Sequence, residues 1–246
     1  MHPLVSVIIV SFNSIKTIQL TISSLLNQIY KNFEIIYIDG GSNDGTREYI
    51  LKYLRKKDKV IFEPDYGIYD AMNKGLLHAD GKYIFFLNSD DLYIDDRVIS
   101  DVVEKFIQDE SVDIVLGGVE YFNGSPLIRS GRKWINYTYK EGDFIHGWHP
   151  PHPGFFSKKS CYDLWGLFDS SIKIAADLDV MLRFIHKNKA KVACLGRITT
   201  LMEASGVSGN WRGRGLGLFN VIESYWKNGI RSTLIYTLIM RYFDKI

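Results

Sequence analysis

The segment FLNSDDLY, residues 86–93, sets Asp90 and Asp91 directly after an apolar, strand-like run. Adjacent carboxylates at the end of a buried strand offer hard oxygen ligands to Mg²⁺ or Mn²⁺. A cation held there neutralises a departing diphosphate. The competing reading is a pair of acids capping a helix that begins near Asp95. IDGGSNDGT, residues 38–46, places Asp39 at another strand end, with glycines that admit a ligand close to the backbone. Asp39 can accept a hydrogen bond from the imino N–H of a nucleotide base, while Asp44 shapes the turn or caps the next helix. A βα loop without a ligand is the alternative. EPDYGIYDAMNKG, residues 63–75, puts Asp65 after a third strand and sends Asp70, Asn73 and Lys74 along a helix. Lys74 suits a phosphate, but Asp70 and Lys74 stand four apart, as a surface ion pair would.

Two further segments carry chemistry for an acceptor. IAADLDV, residues 174–180, sets Asp177 and Asp179 at the start of a helix inside an apolar stretch. A hydroxyl that attacks an electrophilic carbon needs a positioned carboxylate as general base. Asp177 is the candidate, because Asp179 suits the negative position of a first helical turn. The alternative makes both simple N-terminal helix acids. HGWHPPHPGFF, residues 146–156, spaces His146, His149 and His152 three apart between prolines. The prolines forbid a helical face, so a rigid loop lining the acceptor side is preferred to a zinc cluster. In it His152 and Trp148 are the acceptor-side candidates, with the Trp148, Phe155 and Phe156 rings suited to sugar faces or to burial.

The elements that must position these residues are legible in the apolar periodicity. Strands are predicted at Val5–Phe12, Glu34–Ile38, Lys59–Phe62, Lys82–Leu87 and Val112–Leu116. Between them lie helix-period segments: 15–29, capped by Asn13 or Ser14; one after Thr46; 68–78; and one with Ile99, Val102, Val103 and Phe106 on one face. The alternation predicts an α/β fold, a mostly parallel sheet covered by helices on both faces. In such sheets ligands bind beyond the carboxyl ends of the strands. Residues just after Phe12, Ile38, Phe62 and Leu87 therefore converge on one crevice, with Phe12 and Asn13 on its nucleotide side. Residues 1–116 form this nucleotide-binding half. From Gly117 the rhythm turns aromatic and glycine-rich, as in GGVEYFNG and GRKWINYTY, which predicts antiparallel strands or a long loop, and 117–215 form the acceptor half. Helices return at 158–164 and 177–187. A C-terminal extension, 216–246, ends with Leu234, Ile235, Leu238, Ile239, Tyr242 and Phe243 on one helical face, flanked by Lys227, Arg231, Arg241 and Lys245. Such a helix lies on an anionic membrane, packs on its own domain, or pairs with a second copy.

Composition excludes several classes. With 30 basic and 28 acidic residues interleaved and a net charge of +2, the chain lacks the electrostatic footprint of a nucleic-acid binder. Two cysteines, Cys161 and Cys194, cannot make a disulfide framework or a zinc set, which fits a reducing cytoplasm. The first residues run straight into VSVIIVSF without the regions of a signal peptide, and no stretch reaches about 18 apolar residues. The expected location is cytoplasmic, either free or peripheral on the inner face of the membrane through the tail.

Taken in order, VSVIIVSFN, IDGGSNDGT, DYGIYDAMNKG, GKYIFFLNSDD, HPGFF, FDSSIKIAADLDVMLR and GVSGN resemble the family-2 glycosyltransferases and their GT-A nucleotide-sugar-binding fold, over about residues 5–210. The resemblance implies a metal-dependent, inverting enzyme that uses a UDP- or GDP-sugar with Mg²⁺ or Mn²⁺. Its implied acceptor is a sugar hydroxyl, lipid-linked or free, in capsule, O-antigen or exopolysaccharide assembly. Carried over by position, Asp39 matches the base-recognising acid and Asp65 a second donor-side acid. Asp90 and Asp91 match the metal and diphosphate acids, and Asp177 the general base. The chain departs from the pattern at Gly40 and Asn88, where many members carry Asp, and at Ala176, where a Glu often stands. The change at Asn88 leaves open which of Asp90 and Asp91 ligates the metal. Two rivals were weighed. A nucleotidyltransferase would carry a glycine-rich basic loop after the first strand, which SFNSIKT is not. A non-catalytic sugar-nucleotide scaffold would not need Asp90, Asp91 and Asp177 together.

Overall fold

The computed structural model describes residues 2–135, 137–204 and 211–231. Among them the elements run β1 (Val5–Ser11), α1 (Ile18–Leu26), β2 (Phe33–Asp39), α2 (Thr46–Tyr53), β3 (Lys59–Phe62), α3 (Ile68–Leu77), β4 (Tyr83–Phe86), β5 (Leu92–Tyr93) and α4 (Val98–Gln108). There follow β6 (Ile114–Asn123), β7 (Ser125–Trp134), β8 (Phe155–Lys158), α5 (Lys159–Trp165), α6 (Ala176–Met181), β9 (Val192–Glu203) and α7 (Trp211–Lys227). A π-helical turn, Leu182–Lys187, continues α6.

One sheet organises them in the order β3-β2-β1-β4-β8-β6-β9-β5, with β7 paired to β6 as a hairpin. The first four strands are parallel, β8 runs antiparallel between β4 and β6, and β9 returns parallel to β6. Alternation along β1 sends Val5, Val7 and Ile9 to one face and Ile8 and Val10 to the other. The first face is covered by α1, α2 and α4 through Ile18, Ile22, Leu25, Ile50, Val102 and Phe106. The second is covered by α3, α5, α6 and α7 through Met72, Leu76, Tyr162, Leu178, Val221 and Tyr225. Strands buried on both sides explain the near-continuous apolar runs read in the sequence.

The expected α/β architecture is present, with one local correction. The helix expected over 15–29 begins only at Ile18 and is preceded by Thr17, so neither Asn13 nor Ser14 caps it. Asn13 is instead left-handed, φ 50°, and its side-chain oxygen accepts the Asn43 N–H at 3.0 Å. Of the two readings open for GGVEYFNG, antiparallel strand or loop, the strand is present: residues 117–123 form the second half of β6, which pairs with the RSGRKW stretch of β7 across bulged register. The boundary drawn at 215 falls inside α7, whose Val221 and Tyr225 are core residues of the same layer as α3 and α6. The amphipathic stretch over 234–243 lies outside the described residues. Among the described residues no helix is long and apolar enough to cross a membrane.

Candidate active site

The carboxyl ends of β1, β2, β3 and β4 deliver the sequence-predicted donor residues to one edge of the sheet, because parallel strands all point the same way. Asp39, at the end of β2, is 1% exposed. Its carboxylate accepts bonds from Ser11 Oγ at 2.9 Å, Ser42 Oγ at 2.6 Å, and the Gly41 and Ser42 N–H groups at 3.1 and 2.7 Å. Those contacts hold the loop after β2 against β1. Asp44 shapes the same loop as expected, accepting from the Thr46 N–H at 3.1 Å and the Ile15 N–H at 3.1 Å. Asp65 packs directly against Gly40: a Cβ on that glycine would stand 2.4 Å from Asp65 Oδ2 and 3.5 Å from the Phe12 ring. Phe12 is 64% exposed, beside Gly40 at the end of β1. Gly40, the departure noted in the sequence, is therefore where Asp65 finds its space.

Lys74 goes elsewhere. Its ammonium is bonded to the Pro64 carbonyl at 2.8 Å and paired with Glu63 at 3.0 Å and Asp70 at 3.5 Å, so it braces the β3–α3 loop. The ion pair weighed as the alternative is what forms. The acids together hold its ammonium above its ordinary range against the opposing effect of burial.

Asp90 and Asp91 do not cap a helix, since β5 and a turn intervene before α4 begins at Val98. Asp91 is 1% exposed, and burial drives its carboxyl well above the usual carboxylate range, with the Asp90 and Glu203 charges adding to the push. Asp90 is shifted the same way, first by burial and then by Glu203. Asn88 donates to Asp91 Oδ2 at 3.0 Å, and its own Oδ1 is buried without a hydrogen-bond partner. An orphaned oxygen beside two carboxyls that burial disfavours as anions fits a hard cation with diphosphate. Among the described residues no three His, Cys, Asp or Glu side chains form a ready-made metal set. One or two carboxylates plus ligand phosphates is the usual way such sites hold Mg²⁺. Ser89 ties this turn to the β1–α1 loop through Ser14 Oγ at 2.8 Å.

Of the residues expected on the acceptor side, His152 feels the charge of Asp177, while Trp148 packs against Tyr139 and Phe144. α6 opens at Ala175, a non-glycine residue with φ 69° and thus a strained start. Tyr69, on α3, donates to Asp177 Oδ1 at 3.0 Å. His152 is partly buried with an enclosed, unpartnered Nε2, and packs against Phe86 at 5.3 Å and Phe168 at 5.8 Å between ring centroids. Burial lowers its pKa, opposed by the Asp177 charge. His152 thus stands between β4, four residues before Asp90, and Asp177. Gly154 lets this loop reach β6: a Cβ there would be 2.5 Å from the Gly117 carbonyl. Trp148 packs on Tyr139 and Phe144, each at 5.2 Å, and lines a shallow depression with Tyr137, Lys140 and His146. Asp179 is buried, held by Asn228 of the segment after α7 at 2.9 Å and by Arg183 at 3.7 Å, and so serves packing. Tyr69 and Glu203 are not among the residues singled out from the sequence, although Tyr69 sits inside DYGIYDAMNKG; Asn88 stands there only as a departure from the family pattern.

The family model described as glycosyl transferase family 2 matches residues 6–160. The chain belongs to glycosyl transferase family 2. An uncharacterized glycosyltransferase of Mycobacterium tuberculosis is 33% identical over 183 residues, 74% of this chain and 68% of that protein. WfgD of Escherichia coli, a UDP-Glc:alpha-D-GlcNAc-diphosphoundecaprenol beta-1,3-glucosyltransferase, is 32% identical over 126 residues, 51% of this chain and 49% of its own length. Among solved structures, Staphylococcus aureus TarS superposes with a TM-score of 0.67 at 18% identity, covering 98% of this chain and 71% of TarS. The mannosyltransferase PcManGT of Pyrobaculum calidifontis, solved with GDP-Man and Mn²⁺, gives 0.69 at 17% identity, covering 98% of this chain and 70% of that one. The glycosyltransferase thus has the GT-A fold. The family match includes Asp39, Asp65, Asp90 and Asp91 and ends before Asp177.

Proposed function

We propose that this family 2 enzyme moves a sugar from a UDP- or GDP-sugar onto an acceptor hydroxyl by a single, inverting displacement, in assembly of a bacterial surface polysaccharide. The observation that carries the reading is the cluster at the end of β4. Asp90 and Asp91 are acids whose ionised forms burial disfavours, and the Asn88 oxygen beside them is orphaned. Donor classes are suggested by the relatives: UDP-Glc in the name of WfgD, and UDP-GlcNAc and GDP-Man in the titles of the TarS and PcManGT structures. WfgD and the putative teichuronic acid enzyme TuaG of Bacillus subtilis, 34% identical over 130 residues, support the polysaccharide setting. The chain spans about half the length of each.

Phe12 and the loop held by Asp39 border the base, and Asp65 lies beside them for the donor. Asp90 and Asp91 would hold Mg²⁺ or Mn²⁺, which neutralises charge on the diphosphate when bound. Asp177 takes the proton of the acceptor hydroxyl as that oxygen bonds to the anomeric carbon. His152 and the aromatic wall of Phe86 and Phe168 exclude water from the base. Lys74 is left out of the chemistry because three oxygens already hold it. Asp177→Asn tests the assignment by nucleotide release from UDP-glucose, UDP-N-acetylglucosamine and GDP-mannose with Mn²⁺. Loss of about 10²–10⁴-fold in rate with donor affinity intact is expected for a general base; equal loss of both rejects it.

A further inference from the structure

The segment GIYDAMNKG sets Tyr69 and Asn73 four residues apart on α3, and so on one face of that helix. That face latches the segment leading to Asp177. Asn73 grips the backbone of Phe168 at two points, its Nδ2 donating to the Phe168 carbonyl at 2.9 Å and its Oδ1 accepting the Phe168 N–H at 3.0 Å. The Tyr69 ring stacks on the Phe168 ring, with centroids 5.6 Å apart and planes 21° from parallel. The Tyr69 hydroxyl then spans to Asp177 Oδ1 at 3.0 Å, the other end of the same segment. Between those anchors the chain passes through Ala175 in the left-handed region, a conformation that persists only where the surroundings hold it.

We infer that Tyr69 is a positioning residue for Asp177, and that the Asn73–Phe168 clamp sets the reach of the segment that carries it. The inference rests on the reading of Asp177 as general base. A hydroxyl donated to Oδ1 restrains the rotation of the carboxylate and leaves Oδ2, which has no donor among the described residues, to face the acceptor. In the step served, the acceptor O–H bond breaks and its proton passes to Oδ2. The acceptor oxygen bonds to the anomeric carbon as the bond from that carbon to the diphosphate oxygen breaks, and the electron pair leaves with the nucleoside diphosphate. α3 also starts directly after Asp65, which accepts the Gly67 N–H at 2.9 Å. The donor-side acid therefore borders the start of the helix that carries Tyr69.

Tyr69→Phe keeps the ring stack and removes only the hydroxyl. Its effect is read in the full-length protein by ¹³C NMR of the aspartate carboxyl carbons at one pH, with the Asp177 resonance identified by its loss in Asp177→Asn. It is read also by nucleotide release from UDP-glucose, UDP-N-acetylglucosamine and GDP-mannose with Mn²⁺. The expected result is a displaced Asp177 resonance in Tyr69→Phe at unchanged melting temperature. With it kcat falls about tenfold or more while donor KM holds within about twofold, as for an interaction used only in the transition state. In an Asp177→Asn background the same change has no further effect. An unmoved resonance, or a wild-type kcat, overturns the inference, as does a donor KM that rises in step with the loss. If Asp177→Asn itself releases nucleotide at the wild-type rate, the base assignment fails instead, whatever Tyr69→Phe does to the resonance. Asn73→Ala, which leaves the hydroxyl in place, is expected to lower kcat without the donor KM; full activity there removes the clamp from the inference.

Discussion

Gly40→Ala is the sharpest probe of the donor side. Gly40 is not among the glycines with positive φ, so the backbone accepts alanine without strain. The added Cβ would stand 2.4 Å from Asp65 Oδ2 and 3.3 Å from its Cγ, where ordinary contact begins at 3.4 Å. The carboxylate must therefore retreat by roughly 1 Å, a distance at which hydrogen-bond geometry is lost. The bond at stake is the Gly67 N–H to Asp65 Oδ1, now 2.9 Å. Bonds to charged groups contribute about 1.5–3 kcal/mol when sheltered. This one is exposed and water replaces part of it, which leaves about 1 kcal/mol and an expected loss of roughly fivefold in donor affinity. Calorimetric titration with UDP and with GDP, each with Mn²⁺, measures it. The decisive comparison is a double-mutant cycle: in an Asp65→Ala background Gly40→Ala should cost nothing, because its obstacle is gone. The same loss in both backgrounds would refute the steric reasoning.

Asp90→Asn and Asp91→Asn should each abolish the rise in melting temperature that Mn²⁺ gives in the presence of UDP or GDP. The folded state holds the Asp91 proton more tightly than the unfolded chain, so this group costs stability as pH rises above the ordinary aspartate value near 3.9. Metal-free Asp91→Asn should accordingly melt above metal-free wild type at pH 7, and a lower melting temperature counts against the burial argument. His152 has the opposite sign: its folded pKa is depressed by burial, so the unfolded chain binds more protons below about pH 6.5 and stability falls with pH there. His152→Gln should gain on wild type as pH drops through that window, as followed by melting temperature. Asn228→Ala removes the donor to the buried Asp179 carboxylate and should destabilise by about 1.5–3 kcal/mol in urea unfolding, without altering Mn²⁺ binding.

The sequence by itself determined the layered α/β plan, because period-2 and period-3.6 apolar patterns are local and need no partner to be read. It also led to the expectation that Asp39, Asp65, Asp90 and Asp91 face one crevice, since each follows a strand of the sheet and parallel strands end at one edge. What it left open were choices between two uses of one side chain. Lys74 could pair with Asp70 or reach for phosphate, and only the packed β3–α3 loop, with Glu63 and Pro64 brought alongside, commits it to the pair. Asp177 and Asp179 are acids of one helical turn that position alone separates only weakly; the packed structure sets Asn228, just after α7, against the buried Asp179 and Tyr69 of α3 against Asp177. Glu203 meets the Asp90–Asp91 turn only because β9 pairs with β5 and β6 across 78 to 109 residues of chain. Such contacts are set by the order of strands in the sheet, and strand order is a property of the whole packed core that no short window of residues contains.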